Sequence, residues 1–283
     1  MAPEMMLPQP SESFAWVQSP TRRGLICRPL EPLARHLFTT RSWLLGSGSA
    51  PGPEAWTEIA DGVGTDPERL LRVRQVHGAD VLLHRATVAR VSADIAADII
   101  AGDDASTALA IVTADCVPLL IADVRTGAVA AAHAGWRGTA LGVAAAAVNA
   151  LMTAFGSRPE DLVAAIGPSI GPCCYEVGWD VRERFIAESF QEAELARWFS
   201  TAAAQLPANP PMARRTSLPS PGALFLNLWE ATRDQLEVAG VRPDHIFAAE
   251  LCTASHAGTL CSYRRDGQNA GRLAAVIRKH EAS

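Results

Sequence analysis

Residues 111–138 constrain the chain more than any other stretch: Ile-Val-Thr-Ala-Asp-Cys-Val-Pro-Leu-Leu-Ile-Ala-Asp-Val-Arg-Thr-Gly-Ala-Val-Ala-Ala-Ala-His-Ala-Gly-Trp-Arg-Gly. Two apolar runs flank a short polar turn at Arg125, Thr126 and Gly127, which predicts a buried β-hairpin. Cys116 stands just before the first run, and His133 closes the second. Pairing about that turn brings both side chains to the same end of the sheet. A thiolate and an imidazole converging there suggest a metal site that lacks one more ligand.

The apolar fraction is 48%, enough for a sizeable core, and 283 residues fit one large domain or two modest ones. A net charge of −5 argues against a general nucleic-acid binder. Basic charge is almost all arginine, with Lys279 the single lysine, and arginine suits phosphate recognition. Six scattered cysteines without a secretory start predict a reducing cytoplasm rather than a disulfide framework. No apolar run is long enough to cross a bilayer, so no membrane span is expected.

Residues 1–22 are proline-rich and polar and read as a loose tail, with a single domain over 23–283. Short strands are expected at Leu25 to Leu30 and Leu37 to Arg41. Residues 45–65 read as loop, and Pro67 to Leu71 as a short helix. Alternation predicts a strand on each side of Gly78. Thr139 reads as the N-cap of a helix from Ala140 to Phe155 that ends at Gly156. Leu162 to Ile166 reads as a buried strand, and Glu176 to Phe190 has helical periodicity. Residues 201–222 read as an insertion, followed by a strand near Leu224, a helix over Trp229 to Ala239, a charged turn at 263–267 and a closing strand. Successive strands without intervening helices favour an α+β fold, a mixed β-sheet layered sandwich with flanking helices.

His77 is the candidate third ligand. Its sequence distance from Cys116 and His133 matches no compact zinc finger, and a histidine satisfied at a strand end is the competing reading. The surrounding words weigh more. Gln75-Val76-His77-Gly78, Thr113-Ala114-Asp115-Cys116, His133-Ala134-Gly135-Trp136-Arg137-Gly138 and Ile166-Gly167-Pro168 through Cys173-Cys174-Tyr175-Glu176-Val177-Gly178 occur in that order. Together they closely resemble the polyphenol-oxidoreductase, laccase-like family. The resemblance implies a zinc-dependent purine nucleoside phosphorylase with adenosine deaminase activity, acting on a nucleoside and inorganic phosphate. It implies His77, Cys116 and His133 as the metal ligands. The older multicopper laccase label makes copper, and phenol oxidation, the alternative. A non-enzymatic binding domain with a structural metal is a third reading. Cys261 stands where the family has an aromatic residue, and the segments near 42–65 and 201–222 differ in length, which bears on substrate range.

Two imidazoles and one thiolate leave a tetrahedral metal with one open position, as water activation at a purine amino group requires. The acid/base candidates are Asp115, beside Cys116, and Glu176. For Asp115 a turn or supporting hydrogen-bond role is the equal alternative. Phosphate needs arginine forks, for which Arg41, Arg137, Arg264 and Arg265 are the candidates, with Arg272 beside them. Trp136 or Tyr175 could stack on a base, although core packing is the simpler role. Cys173-Cys174 reads as buried packing, since neighbouring cysteines do not readily chelate one metal.

Overall fold

A computed structural model describes residues 7–18, 22–46, 53–85, 94–212 and 222–281. Among these, the first sheet draws on β1 (Phe14–Gln18), β2 (Arg23–Cys27), β3 (Ala34–Thr39), β4 (Leu70–Leu71), β7 (Ala108–Thr113) and β15 (Leu273–Lys279). Its order is β1-β2-β3-β15-β7-β4. The second draws on β5 (Val81–His84), β6 (Ile99–Gly102), β8 (Val117–Asp123), β9 (Val129–Ala134), β10 (Leu162–Ile166) and β14 (Ile246–Ala248). Its order is β14-β10-β8-β9-β6-β5. A small third sheet joins β11 (Glu176–Val177), β12 (Phe199–Ser200) and β13 (Leu224–Leu226). Both large sheets mix parallel and antiparallel pairs.

The layers follow from two-residue periodicity. Leu109 and Ile111 of β7, Leu120 and Ala122 of β8, and Val129 and Ala131 of β9 meet in one core between the sheets. Their neighbours point outward. Ala108 and Ala110 pack with Trp56 and Ile59 of helix α1 (Pro53–Gly62). Leu119, Ile121, Ala130 and Ala132 pack with α3 (Val143–Phe155) and α6 (Leu228–Val238). The result is a helix–sheet–sheet–helix sandwich, as the strand-rich sequence predicts. No helix among the described residues is long and apolar enough to cross a membrane.

The central hairpin forms with Val117 opposite Ala134 and Pro118 opposite His133. Its turn is closed by the Asp123 carboxylate, which accepts the N–H groups of Arg125 (2.6 Å) and Thr126 (3.0 Å), and by Gly127 at φ 70°.

Several local expectations need correction. Residues 14–18 are not tail but an edge strand, held by five register pairs to β2, because Phe14 buries against the inter-sheet core. Within 45–65, residues 53–62 are helical. The spacing of Trp56, Ile59 and Val63 supplies an apolar face that outweighs the flanking glycines and prolines. Residues 67–69 form a 3-10 turn leading into β4 rather than a helix. Upstream of Gly78 a single Arg74–Ala96 bridge replaces a full strand. There the Gln75 amide pairs with both the N–H and the carbonyl of Val112 (2.8 Å each). Thr139 does not cap a helix. It lies in α2 (Trp136–Ala140), with its hydroxyl on the Gly135 carbonyl, and Gly142 at φ 75° breaks α2 from α3. Glu176 and Val177 are strand, and the helix after them, α4, is Trp179–Ala187. Residues 263–266 of the charged turn form a short helix, and residues 213–221 of the 201–222 segment lie outside the described residues.

Candidate metal centre and its cavity

Two of the three candidate ligands sit where the chain passes from one sheet to the other. His77 lies on the crossing from β4 to β5, and Cys116 on the crossing from β7 to β8. His133 is on β9. One donor atom of each can be chosen so that all three lie within 4.8 Å of one another. The His77 and His133 rings meet edge to face with centroids 4.8 Å apart.

The crossings are held by buried carboxylates. Asp98, just before β6, is fully buried. Its carboxylate accepts the backbone N–H groups of Val76 (3.1 Å), His77 (3.0 Å) and Gly78 (2.7 Å). These bonds hold His77 in the left-handed region at φ 62°, where a non-glycine residue sits only if its surroundings fix it. The same carboxylate accepts from His133 Nδ1 at 2.7 Å, so Nδ1 carries the proton and Nε2 is the ring nitrogen left to coordinate. Asp98 escaped the sequence reading. The signal was an acid inside the apolar run Ala97-Asp98-Ile99-Ile100, which a buried strand tolerates only with partners.

Asp115 holds the other crossing, itself at φ 91°. Its carboxylate accepts the Thr253 hydroxyl (2.5 Å) and the Arg264 N–H (2.6 Å). Gly135 accounts for one glycine of the His-Ala-Gly-Trp-Arg-Gly word. A Cβ there would stand 2.9 Å from Cys116 Sγ and 3.0 Å from the His77 ring.

The electrostatics favour a thiolate at Cys116 beside a positively charged His133 ring. Burial pushes the Cys116 thiol up, but the His133 and His77 rings beside it bring it down to about 6. Burial pushes His133 down, but the Cys116 sulfur and Asp98 raise it to about 9. Burial raises Asp98 less than the His133 and backbone hydrogen bonds lower it, so it stays ionised. Asp115 goes the other way: burial outweighs its hydrogen bonds and raises it.

The three donors line a cavity of about 520 Å³. Gln75, Asp115, Tyr175, Tyr263, Arg264 and Arg272 line it too, and Asp115 is the one carboxylate among its lining residues. The Arg264 guanidinium sits over the Tyr175 ring at 5.1 Å and donates to the Glu176 carbonyl. Glu176 lines a neighbouring cleft with Trp179, not this cavity. The other candidate arginines also lie outside the lining. Arg265 is committed to the Thr253, Ala254 and Leu260 carbonyls and to Asp266. Arg41 donates to the Ala257 carbonyl, and Arg137 stacks on Trp136 at 4.3 Å. Neither a structural commitment such as that of Arg265 nor the place of Arg272 was readable from spacing.

Comparison with known proteins agrees with this picture. The family description "multi-copper polyphenol oxidoreductase laccase" matches residues 53–280. The purine nucleoside phosphorylase YlmD of Geobacillus stearothermophilus is 36% identical over 229 residues, covering 79% of this chain and 77% of the relative. The purine nucleoside phosphorylase YfiH of Escherichia coli is 31% identical over 242 residues, covering 86% of this chain and 80% of the relative. The crystal structure of a hypothetical protein YfiH from Bacillus licheniformis superposes with a TM-score of 0.78 at 27% identity, covering 95% of this chain and 99% of that one. That of YlmD from Geobacillus stearothermophilus gives 0.73 at 30% identity, covering 94% and 99%. With sequence, topology and donor cluster in agreement, the chain belongs to the laccase-like polyphenol oxidoreductase family.

Proposed function

We propose that this chain is a zinc-dependent purine nucleoside phosphorylase with adenosine deaminase activity. One observation carries the reading: His77, Cys116 and His133 converge in a cavity of nucleoside size that two arginines also line. The names of the relatives support purine nucleosides and phosphate as substrates. Two imidazoles and a thiolate suit zinc with one position left open, and a carboxylate-held histidine is the usual support for such a ligand. When bound, zinc would supply Lewis acidity and the means to activate water at that open position.

The chain's own groups account for the other requirements. Arg264 and Arg272 line the cavity and offer cationic donors to inorganic phosphate. Tyr175 and Tyr263 offer aromatic faces to a purine. Asp115 is the one carboxylate in the lining and is assigned the acid/base role. Multicopper chemistry would need further histidine clusters. The five other histidines are engaged elsewhere: His36 with Cys27 N–H, His84 with Asp104, His245 with the Leu162 carbonyl, His256 with Asn209 and His280 with the Glu31 carbonyl.

Metal-replete protein incubated with adenosine and phosphate should release adenine and ribose 1-phosphate, followed by chromatography and mass spectrometry. Without phosphate, adenine release should stop while inosine still forms. Absence of all three products from zinc-loaded protein would sink the proposal.

A further inference from the structure

After β10 the chain turns tightly through Pro172, Cys173 and Cys174, and the N–H groups of Cys174 and Tyr175 both donate to the Gly171 carbonyl at 3.0 Å. The turn brings the two neighbouring thiols together, with their Sγ atoms 3.3 Å apart. Cys252 arrives from the segment after β14, which is bridged to the same loop at Ser169. Its Sγ accepts the Gly171 N–H at 3.2 Å. The three sulfur atoms lie within 4.8 Å of one another and the residues are 1%, 3% and 0% exposed. None is in a disulfide. Two adjacent cysteines alone make a poor chelate, but the third thiol closes a triangle. Sulfur ligands at a metal–sulfur bond of ~2.3 Å stand roughly 3.8–4.0 Å from each other, so an ion would spread the 3.3 Å Cys173–Cys174 pair and fit within the 4.8 Å bound on all three.

We propose that Cys173, Cys174 and Cys252 form a second, buried metal site that takes one copper(I) ion. The surroundings select the ion. Met212 packs against the cluster, bringing a thioether, and its backbone N–H points at Cys174. The closest hydroxyl is that of Ser255, 3.6 Å from both Cys173 and Cys174. No carboxylate belongs to the cluster, and the neighbouring His256 ring is bonded through Nε2 to Asn209 Oδ1 at 3.1 Å. Calcium and magnesium require oxygen ligands, and structural zinc requires a fourth nitrogen or sulfur donor of the kind an alcohol does not supply. Three cysteine sulfurs, which a bound metal would deprotonate, suit a soft cation of low coordination number. The site is separate from the His77–Cys116–His133 centre and holds whether or not the phosphorylase reading does. Ser255 and His256 beside it are both half-buried.

The test uses the full chain carrying Cys116→Ser, which removes the other thiol centre. Reduced, metal-free protein is titrated anaerobically with copper(I) against bathocuproine disulfonate. One equivalent should be retained, with thiolate-to-copper absorbance in the ultraviolet and a sulfur-only shell by X-ray absorption. Adding Cys252→Ala, or separately Cys173→Ala, should weaken retention by about a hundredfold or more. Thermal melts check that these variants fold. Should both unfold, the shell measured on the Cys116→Ser protein decides alone. Failure to retain copper(I), a shell of nitrogen and oxygen, retention unchanged in both folded variants, or one-for-one displacement by zinc(II) would each overturn the assignment.

Discussion

Each large sheet buries a histidine at nearly the same exposure, and the two behave in opposite ways. His36 on β3 of the first sheet is 6% exposed, and His133 on β9 of the second is 3% exposed. The His36 hydrogen bonds go only to backbone: Nε2 accepts the Cys27 N–H at 2.8 Å, and Nδ1 bonds the Ala34 carbonyl at 3.1 Å. Those partners satisfy the neutral ring, so burial prevails and lowers it to about 4. His133 is just as dry, but it faces a carboxylate and a thiol and is raised to about 9. Burial alone therefore says nothing about a histidine's role. The charge of its partners decides which way a buried ring's proton affinity moves.

The sharpest way to break this comparison is His133→Ala. It should abolish stoichiometric zinc retention and phosphorolysis together. It should also cost about 3 kcal/mol or more of stability, because Asp98 is left charged and buried without its partner. Metal analysis and denaturant melts read both effects. If zinc is retained at wild-type level, the ligand assignment fails.

The second prediction concerns His36 and acid. Its folded-state value lies below the ordinary 6.5, so the unfolded chain takes up a proton first as pH falls. The stability it contributes is complete above pH 6.5 and is lost progressively down to about 4. The total is about 3 kcal/mol at 1.36 kcal/mol per unit. His36→Gln should flatten that part of the stability–pH curve, measured by urea melts. An unchanged slope would show that the ring is not held neutral.

A smaller effect is expected at Asp98. Asp98→Asn keeps the shape but cannot accept on both sides from three backbone N–H groups and His133. Zinc affinity should fall roughly 10–100-fold, read by chelator competition. A loss confined to turnover, with affinity unchanged, would contradict the positioning role.

The smallest is Gly135→Ala. The new Cβ crowds Cys116 and the His77 ring, and displacing them should weaken zinc binding by about 1 kcal/mol, roughly fivefold. His36 and the first sheet should not notice, so the pH curve of this variant should match wild type.

Much of this was legible in the sequence, and the reasons differ by residue. The hairpin was legible because its apolar runs and its Arg-Thr-Gly turn are local signals. The grouping of His77, Cys116 and His133 was legible because motif words bracket each member. Helix α1 was missed because flanking glycine, serine and proline were weighed above the spacing of Trp56, Ile59 and Val63. Asp98 was missed because its meaning depends on two partners, the 76–78 backbone and His133, that only strand pairing brings to it. Cys252 joins Cys173 and Cys174 across a long sequence gap, through a single bridge between loops. No periodicity encodes such a meeting.

The crossings described above have a mechanical consequence. His77 is sewn to the first sheet through Gln75 and Val112, and to the second through Asp98. Cys116 hangs on another link between the same two layers. The donor spacing is therefore a gauge of the gap between the sheets, and that gap is set by side chains such as Leu120, Ala131 and Ile111. Repacking those distant apolar residues would change the spacing of His77, Cys116 and His133. In this architecture the hydrophobic core doubles as a calibration of the donor cluster.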